Sequence, residues 1–402
     1  MGIAAQQKTI MSGYKQTEVG VIPEDWNAEP LGPHVEIKSG ESPSLFRFEN
    51  DGTPYFKVEQ LNNNSKYLED TPYFFKGDKS VRCGSLIFPK RGASILLNKV
   101  RILKQASFMD TNLMTLTPRG NTLDSEFLYY ALTYIQLWRI ADTTSIPQIN
   151  NKHINPLVVA FPSEPEQQTI AAALSDVDEL IGTLDKLIAK KRDLKQATMQ
   201  QLLTGKIRLP GFGGSWELKS FGAITTPRKN RVDPRRSGVQ EFCLELEHID
   251  QGTGKLLGST IAGTQSSLKS VFQPGDVLFG KLRAYLRKYW LANRSGVCST
   301  EIWVLVPDTG VVTPEFLFHI VQADRFIEVA SFAYGTHMPR SDWSVVKNYE
   351  LPIPKPDEQA AIATVLSDMD AEIAALEQRR DKTRALKQGM MQKLLTGKTR
   401  LT

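Results

Sequence analysis

The sequence contains few cysteines, and their spacing does not pair them. Cys83, Cys243 and Cys298 are an odd number with no Cys-x-x-Cys motif, which argues against a disulfide framework and a cysteine-based zinc site. We expect reduced, buried thiols. No run approaches the roughly 18 consecutive apolar residues of a membrane-spanning helix, and the first ten residues lack the basic start and apolar centre of a signal peptide. We therefore expect a cytoplasmic protein.

Catalytic motifs are also missing from the sequence. Gly205-Lys206 lacks the upstream glycine of a phosphate-binding loop, and Asn155-Pro156-Leu157 departs at its third residue from the Asn-Pro-Pro-aromatic tetrapeptide of amino-methyltransferases. The histidines have no metal-ligand spacing and no obvious Ser or Cys partner. The five histidines are His34, His153, His248, His319 and His337. We predict neither catalytic residues nor metal ligands in this chain, and we expect His319 to be a core residue.

The apolar content is sufficient for two or three domains. Of the 402 residues, 41% are hydrophobic, which excludes a disordered polypeptide. The net charge of +5, from 49 basic and 44 acidic residues, is too small to indicate nucleic-acid binding by itself. The placement of the charges along the chain is therefore more informative than their sum.

An internal repeat dominates the sequence. Residues 166–209 align without a gap to residues 358–401, with about half of the positions identical. Fainter similarity continues upstream, where Trp26 corresponds to Trp216. The chain is therefore two copies of one unit, each consisting of a variable block and a closely shared segment.

This repeat divides the chain into four parts. Block one covers residues 1–162 and includes an N-terminal tail, and block two covers residues 211–354. The shared segments, 163–210 and 355–402, each predict one long helix, because apolar residues recur at steps of three and four. The two apolar stripes are Ile170, Leu174, Val177, Ile181, Leu184 and Ile188, then Ile362, Leu366, Met369, Ile373 and Leu376.

Proline and glycine mark the expected ends of both helices. Pro165 and Pro356 stand where a helix can begin, and Gly205 and Gly397 stand where one can end.

The charges of the two helices predict how they pair. Residues 166–185 carry five acids and no Lys or Arg, whereas 186–209 carry seven basic residues and one acid. The second copy repeats this polarity. Antiparallel packing sets each acidic half against a basic half, so we predict an antiparallel coiled-coil pair, with the two blocks at opposite ends and a pseudo-two-fold axis between them. A helical hairpin that serves only as a core or dimerisation element remains the plain alternative.

Each block is predicted to be a mixed α/β (α+β) globule. Short β-branched and aromatic runs alternate with Gly, Pro and Asn, and each block has one helical patch, at 125–141 and 314–330. The predicted strands are 53–58, 85–88, 113–116, 275–279 and 301–306.

Both blocks contain a basic run without acids, which favours a polyanionic partner. The runs are 79–109 and 277–300, and a further cluster follows Pro227. A solvated surface would show similar runs, but their recurrence after duplication favours DNA. The predicted contacts are Lys90, Arg91, Lys99, Arg101 and Lys104 in block one, and Arg228, Lys229, Asn230, Arg231, Lys281, Arg283, Arg287 and Lys288 in block two. Aromatic residues near them, such as Tyr289 and Trp290, are more typical of a core.

A polar turn lies late in each block, before the long helix. Gln and Asn can bridge adenine N6 and N7, and Arg can bridge guanine O6 and N7, so these turns suit major-groove contacts. The candidates are Ser145, Gln148, Asn150, Asn151 and Lys152 in block one, and His337 and Arg340 in block two. An ordinary turn and helix cap is the alternative for each residue.

The whole chain resembles the specificity subunit of Type I restriction-modification enzymes. The most specific features are the recurring Glu166-Gln167 and Glu358-Gln359, the two Leu-Leu-Thr-Gly-Lys segments that end at Lys206 and Lys398, and the Lys-Gln pairs at Lys195 and Lys387. The blocks would correspond to target recognition domains, whose sequences differ widely in that family.

The resemblance implies a non-catalytic DNA-reading subunit. Two modification (methyltransferase) subunits would assemble on it and bring S-adenosylmethionine and adenine methylation. Motor-nuclease (restriction) subunits, which use ATP and Mg²⁺, would complete the complex. The target would be bipartite and asymmetric, with an unread spacer. Two alternatives remain at this point: a self-sufficient DNA-modifying enzyme, and a coiled-coil scaffold that binds protein but not DNA.

Overall fold

The structure is a computed structural model of the chain. It describes residues 12–45, 47–63, 65–77, 80–142, 146–234, 242–265, 267–332 and 339–401. Eight α-helices lie in these residues: α1 Ser125–Ile135, α2 Asn151–Ile154, α3 Glu164–Leu202, α4 Phe221–Ile224, α5 Pro314–Ile320, α6 Asp324–Ser331, α7 Trp343–Val346 and α8 Pro356–Leu394.

Helices α3 and α8 are the two long helices that the repeat predicts. Each has 39 residues, which corresponds to about 58 Å at 1.5 Å per residue. Gly205 and Gly397 follow their ends with φ of +68° and +67°, the left-handed conformation that glycine adopts at low cost after a helix. The predicted helix ends are therefore confirmed.

The chain forms two compact units. The first unit comprises the described residues up to Thr183 together with those from Arg379, and the second comprises Leu184–Gln378. This division differs from the linear division at residues 162, 210 and 354, because each unit contains one variable block and one half of each long helix.

Within each unit the two helix halves run antiparallel, as the charge polarity predicts. The acidic half of one helix faces the basic half of the other. As residue numbers rise along one helix, the numbers of their partners fall along the other. The ion pairs between the helices are Lys387–Asp178 at 2.7 Å in the first unit and Lys195–Asp370 at 2.7 Å in the second. Just beyond the helix ends, Arg400 pairs with Glu166 at 2.6 Å in the first unit and Arg208 with Glu358 at 2.5 Å in the second.

The repeated Glu-Gln pair has a physical role in each unit. Gln167 is fully buried, and its amide donates to the carbonyls of Thr122 and Pro162 and accepts from the backbone N–H of Asp124. Gln359 makes the equivalent three bonds to Val311, Pro354 and Thr313. A buried amide with all of these bonds satisfied fixes the block on the helix that follows it.

The core of each unit continues from the block onto the helices. In the first unit Ile170 and Leu174 of α3 and Leu394 of α8 are buried with the core of block one. In the second unit Leu202 of α3 and Leu366 of α8 are buried with the core of block two. Burial of apolar surface is the main stabilising contribution to such an assembly, so each block depends on both helices.

Block one contains two main sheets. The five-stranded sheet has the order Val35–Ser39, Leu113–Pro118, Leu86–Pro89, Arg101–Leu103, Tyr67–Leu68, and the three-stranded sheet has the order Phe108–Met109, Thr53–Phe56, Phe74–Phe75. Two two-stranded sheets pair Tyr14–Thr17 with Gly20–Pro23, and Asn27–Pro30 with Val158–Phe161.

Block two has the corresponding arrangement with fewer strands. One four-stranded sheet has the order Thr225–Pro227, Ile302–Pro307, Val277–Gly280, Tyr289–Leu291, and the other has the order Arg231–Val232, Lys269–Phe272, Gly296–Ser299, Cys243–Leu244. Glu217–Ser220 pairs with Glu350–Ile353. The mixed α/β prediction is confirmed, and each of the five predicted strands overlaps an observed one.

The structure shows the surroundings of His319 and of the three cysteines. His319 is buried and hydrogen-bonds Ser367 at 3.3 Å, and burial lowers its pKa to about 3, so it is a neutral core residue as expected. All three cysteines are free. Cys83 is exposed, so the expectation of a buried thiol is wrong at that position. Among the described residues, no helix combines the length and the apolar character needed to cross a membrane.

Candidate nucleic-acid interface

In block one, the basic loop and the polar turn lie side by side. The loop follows strand Leu86–Pro89, and the turn precedes α2. The N–H of Ile149 donates to the carbonyl of Lys90 at 2.8 Å, and the N–H of Gly92 donates to the carbonyl of Pro147 at 2.9 Å. Arg91 and Gln148 face each other in this short antiparallel bridge. We name Lys90, Arg91 and Gln148 contact edge one.

Block two forms the same arrangement. The N–H of Ser341 donates to the carbonyl of Lys281 at 2.8 Å, and the N–H of Arg283 donates to the carbonyl of Pro339 at 2.8 Å. Arg340 pairs with Leu282 in the bridge. We name Lys281, Arg283 and Arg340 contact edge two. The bonded backbone groups are the same in both blocks and lie at equivalent positions of the repeat, although the loop and the turn are more than 50 residues apart in each.

Several cations on the two edges are available to an anion. Arg91 and Arg283 are exposed, and Lys281 is half-buried. Within the described part of the chain, none of the three forms an ion pair. Lys90 is half-buried, and burial and the charge of Arg91 lower its pKa, against the opposing effect of Asp110. Cations without a carboxylate partner can neutralise phosphates without first breaking an ion pair.

Arg340 is held differently from the other cations. Its guanidinium donates to the carboxylate of Glu301 at 2.9 Å, and this bond and the charge of Glu301 raise the pKa of Arg340. One side of the guanidinium fork is therefore fixed, which orients the remaining donors.

A third basic group lies beside strand Arg231–Val232. Lys229, Asn230 and Arg231 are exposed, and neither cation forms an ion pair with any residue that the structure describes. These three residues are accessible to a polyanion.

Two predicted contacts have structural roles instead. Arg101 is only 9% exposed, and its guanidinium donates to the carbonyls of Val100, Leu61 and Asn63. Arg228 forms a bidentate pair with the buried carboxylate of Asp276, with N–O distances of 2.8 and 3.1 Å. Breaking such bonds would leave buried groups unpaired, so these two arginines are not available to a polyanion.

Other predicted cations are occupied by intramolecular bonds. Arg287 pairs with Asp324 at 2.5 Å, and the Nζ of Lys288 donates to the carbonyl of Leu246 at 2.6 Å. Lys99 donates to the side chain of Asn62. The exposed Lys104–Glu69 and Lys152–Asp142 pairs, at 2.6 and 2.9 Å, are the kind that contributes little and exchanges easily. Lys104 and Lys152 therefore remain accessible.

The polar turn of block one leads directly into α2. Asn150 precedes this helix, and its backbone N–H donates to Nδ1 of His153 at 2.9 Å. The Nε2 of Gln148 donates to Oδ1 of Asn150 at 3.3 Å, and Asn151 is exposed. Ser145 and His337 lie outside the described residues.

The sequence patterns did not identify the exposed leucines beside contact edge one. Leu96 and Leu97 follow Gly92 in a 3₁₀ helix, and no residue-type pattern distinguishes them from core leucines. Among the described residues, no group of three or more His, Cys, Asp or Glu side chains is arranged to hold a metal ion.

Known proteins share this architecture. The family model described as the Type I restriction modification DNA specificity domain matches residues 23–190 and 258–384, more than half of the chain. The Type I restriction enzyme MjaVIII specificity subunit of Methanocaldococcus jannaschii is 24% identical over 94% of each chain. The EcoDI specificity subunit of Escherichia coli is 21% identical over 94% of this chain and 88% of its own.

Solved structures of Type I restriction-modification proteins have a similar fold. The S subunit of a Type I restriction-modification system from M. genitalium has a TM-score of 0.55 at 17% identity, over 92% of this chain and 96% of that chain. A chain from a study of complex assembly and conformational transition of the type I R-M system has a TM-score of 0.61 at 15% identity, over 94% and 99%. At these identities the structural likeness establishes the fold alone.

Proposed function

The chain belongs to the family of Type I restriction modification DNA specificity domains, and from this membership we propose that its two blocks read the two unlike halves of one asymmetric DNA target. As a specificity subunit it is a non-catalytic component that recognises DNA sequence. The finer proposal concerns how the target is divided and which side chains contact it.

The observation that carries the proposal is the duplicated bridge of the two contact edges. Equivalent backbone groups join a basic loop to a polar turn in each block, but the side chains that they present differ. Edge one offers the Gln148 amide, and edge two offers the Arg340 guanidinium. A duplicated scaffold with different recognition groups is what an asymmetric two-part target requires.

The chemistry of these groups indicates which bases each edge would prefer. A Gln amide can bond adenine N7 and N6 together, whereas an Arg fork can bond guanine O6 and N7. Glu301 holds one side of the Arg340 fork and leaves donors free for a base edge. We propose adenine contact by Gln148 and guanine contact by Arg340.

The unpaired cations would position the blocks on the duplex. Phosphate contacts supply affinity and register but carry little sequence information, whereas base contacts specify. Arg91 and Arg283 flank the bases that Gln148 and Arg340 would read. Lys229 and Arg231 would extend the phosphate contacts of block two.

We also propose the partners and the setting of this activity. Two modification subunits would assemble on the chain and supply S-adenosylmethionine for adenine methylation, and motor-nuclease subunits would supply the sites for ATP and Mg²⁺. None of these cofactors is assigned to a residue of this chain. Because the substrate would be chromosomal and invading DNA, the complex would act in the cytoplasm.

Selection from a random duplex library tests the proposal directly. The full chain, assembled with its modification subunits, should enrich one two-part motif. Gln148→Ala should relax base preference in one half only and Arg340→Ala in the other only, each by about 1–3 kcal/mol per lost base contact. Arg325→Ala, an exposed cation paired within α6, is the control and should leave the motif unchanged.

Two results would contradict the proposal. If Gln148→Ala and Arg340→Ala relaxed the same half of the motif, the blocks would not be independent readers. If the unsubstituted complex enriched no motif, the assignment of base contacts to both edges would be wrong.

A further inference from the structure

A short 3₁₀ helix with exposed apolar side chains follows contact edge one. It spans Ala93–Leu97. Ile95 is buried and anchors the helix to the core of block one, whereas Leu96 and Leu97 are 56% and 64% exposed. Two adjacent exposed leucines form an apolar patch, and covering this patch with a partner would be favourable. We name Leu96 and Leu97 tip one.

Block two presents an exposed side chain at the corresponding place. The 3₁₀ helix Ala284–Leu286 follows contact edge two, with Ala284 buried and Tyr285 52% exposed. We name Tyr285 tip two. Both blocks therefore carry a large, solvent-exposed side chain immediately after the loop that faces the polar turn.

The backbone around both tips is strained. Among the described residues, four non-glycine residues have positive φ: Asn98 at +47°, Gln136 at +65°, Arg283 at +53° and Arg287 at +50°. Asn98 ends the helix of tip one, and Arg283 and Arg287 flank the helix of tip two. Such conformations are uncommon outside glycine, and they are often found at functional sites where the surrounding structure imposes them.

Specific bonds hold the strained residues in place. The Asn98 side chain donates to the carbonyl of Thr133 and accepts from the N–H of Leu137, both at 3.0 Å. Gln136 immediately precedes Leu137, so the fourth strained residue belongs to the same support. In block two Arg287 is fixed by its pair with Asp324. The tips are therefore presented on rigid supports.

The charges around the tips indicate what covers them. Tip one follows Arg91 and tip two follows Arg283, and both cations are exposed and form no ion pair among the described residues. Other basic residues near the tips are already bonded within their blocks, such as Lys99 to Asn62 and Arg287 to Asp324. An apolar protein partner would have to neutralise Arg91 and Arg283 as well, whereas duplex DNA offers anionic phosphates around apolar base faces.

We propose that tips one and two are wedges that press against base pairs and unstack one base step in each half of the target. Leucine side chains can only separate bases, whereas a tyrosine ring can also stack on one of them. The inference deepens the proposed function and rests on it. Flexible pyrimidine–purine steps would be favoured at the wedge positions even without a direct base contact, because they unstack more easily.

Fluorescence of 2-aminopurine in the selected target tests the wedges. The full chain with its modification subunits is bound to duplexes in which the probe replaces successive bases. Emission should rise at one position in each half other than the methylated adenine when the complex binds, because unstacking relieves quenching. The double variant Leu96→Ala and Leu97→Ala should abolish the rise in one half, and Tyr285→Ala should abolish it in the other. Affinity should weaken on the order of tenfold.

The control is Leu218→Ala. Leu218 has the same exposed fraction as Leu97, 64%, but lies in strand Glu217–Ser220, which pairs with Glu350–Ile353 and not with a contact edge. It should leave the emission rise and the affinity unchanged. All of the substituted side chains are more than half exposed, so the variants should fold.

Each contrary result has a distinct meaning. An unchanged rise in the tip variants, with the selected motif also unchanged, would overturn the wedges alone. Loss of modification subunits from the tip-one variant, with emission unaltered in the assembled remainder, would assign the leucines to a protein contact and also overturn the wedges. If the unsubstituted complex selected no sequence, the proposed function would fail and the wedges would fail with it.

Discussion

Removal of one cation from each contact edge should change the salt dependence of DNA binding by a defined amount. The double variant Arg91→Gln and Lys281→Gln keeps polar side chains at both positions and removes two charges. Neither residue forms an ion pair within the described part of the chain, so their loss leaves no carboxylate unpaired. The effect should therefore come from phosphate contacts alone.

The size of the effect follows from the number of available cations. Six such cations lie on or beside the two edges: Lys90, Arg91, Lys229, Arg231, Lys281 and Arg283. If each neutralises one phosphate, the slope of log affinity against log salt is about −5.4, and affinity falls about 1,800-fold between about 50 and 200 mM salt. Without two of these contacts the slope becomes about −3.6 and the loss about 150-fold.

Fluorescence anisotropy with a random duplex, measured over a range of salt concentrations, provides both slopes. A random duplex removes base-specific contacts, so the phosphate contribution is measured alone. The matched control is the double variant Lys38→Gln and Arg325→Gln, which removes one exposed charge from each block. Both control cations are paired within their own element, with Glu36 and Glu328.

Equal slopes for the edge variant and the control would refute the reasoning, because the effect would then depend on net charge and not on the position of the cations. Binding that did not change with salt would refute it more fundamentally. That result would favour a scaffold that binds protein and not DNA.

Three further predictions follow from the fold. Leu366→Ala leaves a cavity at a fully buried position and should lower the unfolding free energy of the second unit, measured by hydrogen exchange, by about 3–5 kcal/mol. The control Leu386→Ala, at a position 60% exposed on the same helix, should change local stability by less than about 0.5 kcal/mol. Equal effects of the two variants would contradict the assigned core. The pKa of buried His319 is about 3, well below its usual value of about 6.5, so the unfolded state binds the proton more strongly than the folded state. The second unit should therefore lose up to about 1.4 kcal/mol of unfolding free energy per pH unit as the pH falls from about 6.5 toward 3. His319→Gln should flatten this pH dependence of stability, and an unchanged profile would exclude His319 as its source. Exchange of residues 211–352 for the block of another family member should change one half of the selected motif, and a change in both halves would contradict independent readers.

The long helices could be predicted from the sequence because local patterns determine them. Apolar residues at steps of three and four, terminal glycines and acid-to-base polarity all lie within one segment of the chain. The antiparallel pairing follows, since Lys195 and Lys387 meet Asp370 and Asp178 only in that orientation. The roles of Gln167 and Gln359 could not be foreseen, because their partners belong to the blocks.

The contact edges could be predicted only in part. The basic loops and polar turns were identified separately from residue type, but their contact depends on how the sheets place residues more than 50 positions apart. The number and position of basic residues in the sequence also could not distinguish the exposed Arg91 from the buried Arg101. Arg101 begins a strand, and its bonds to the carbonyls of Leu61 and Val100 bury it.

Distant partners explain the remaining differences. Arg228 stands in a basic cluster and resembles its exposed neighbours, but Asp276 lies 48 residues further along the chain, just before strand Val277–Gly280, and binds it. Leu96 and Leu97 resemble core residues in the sequence. They directly precede the left-handed turn at Asn98, and no residue-type pattern distinguishes them from core leucines.

Genome-wide mapping of methylated adenines tests the central claim most directly. The comparison is between cells that lack this chain, cells that express it, and cells that express the Arg340→Ala variant. We predict that one asymmetric two-part motif is methylated only when the chain is present, and that Arg340→Ala broadens one half of that motif. If no motif depended on the chain, or if the dependent motif were a single uninterrupted sequence, the account of two unlike readers would be contradicted.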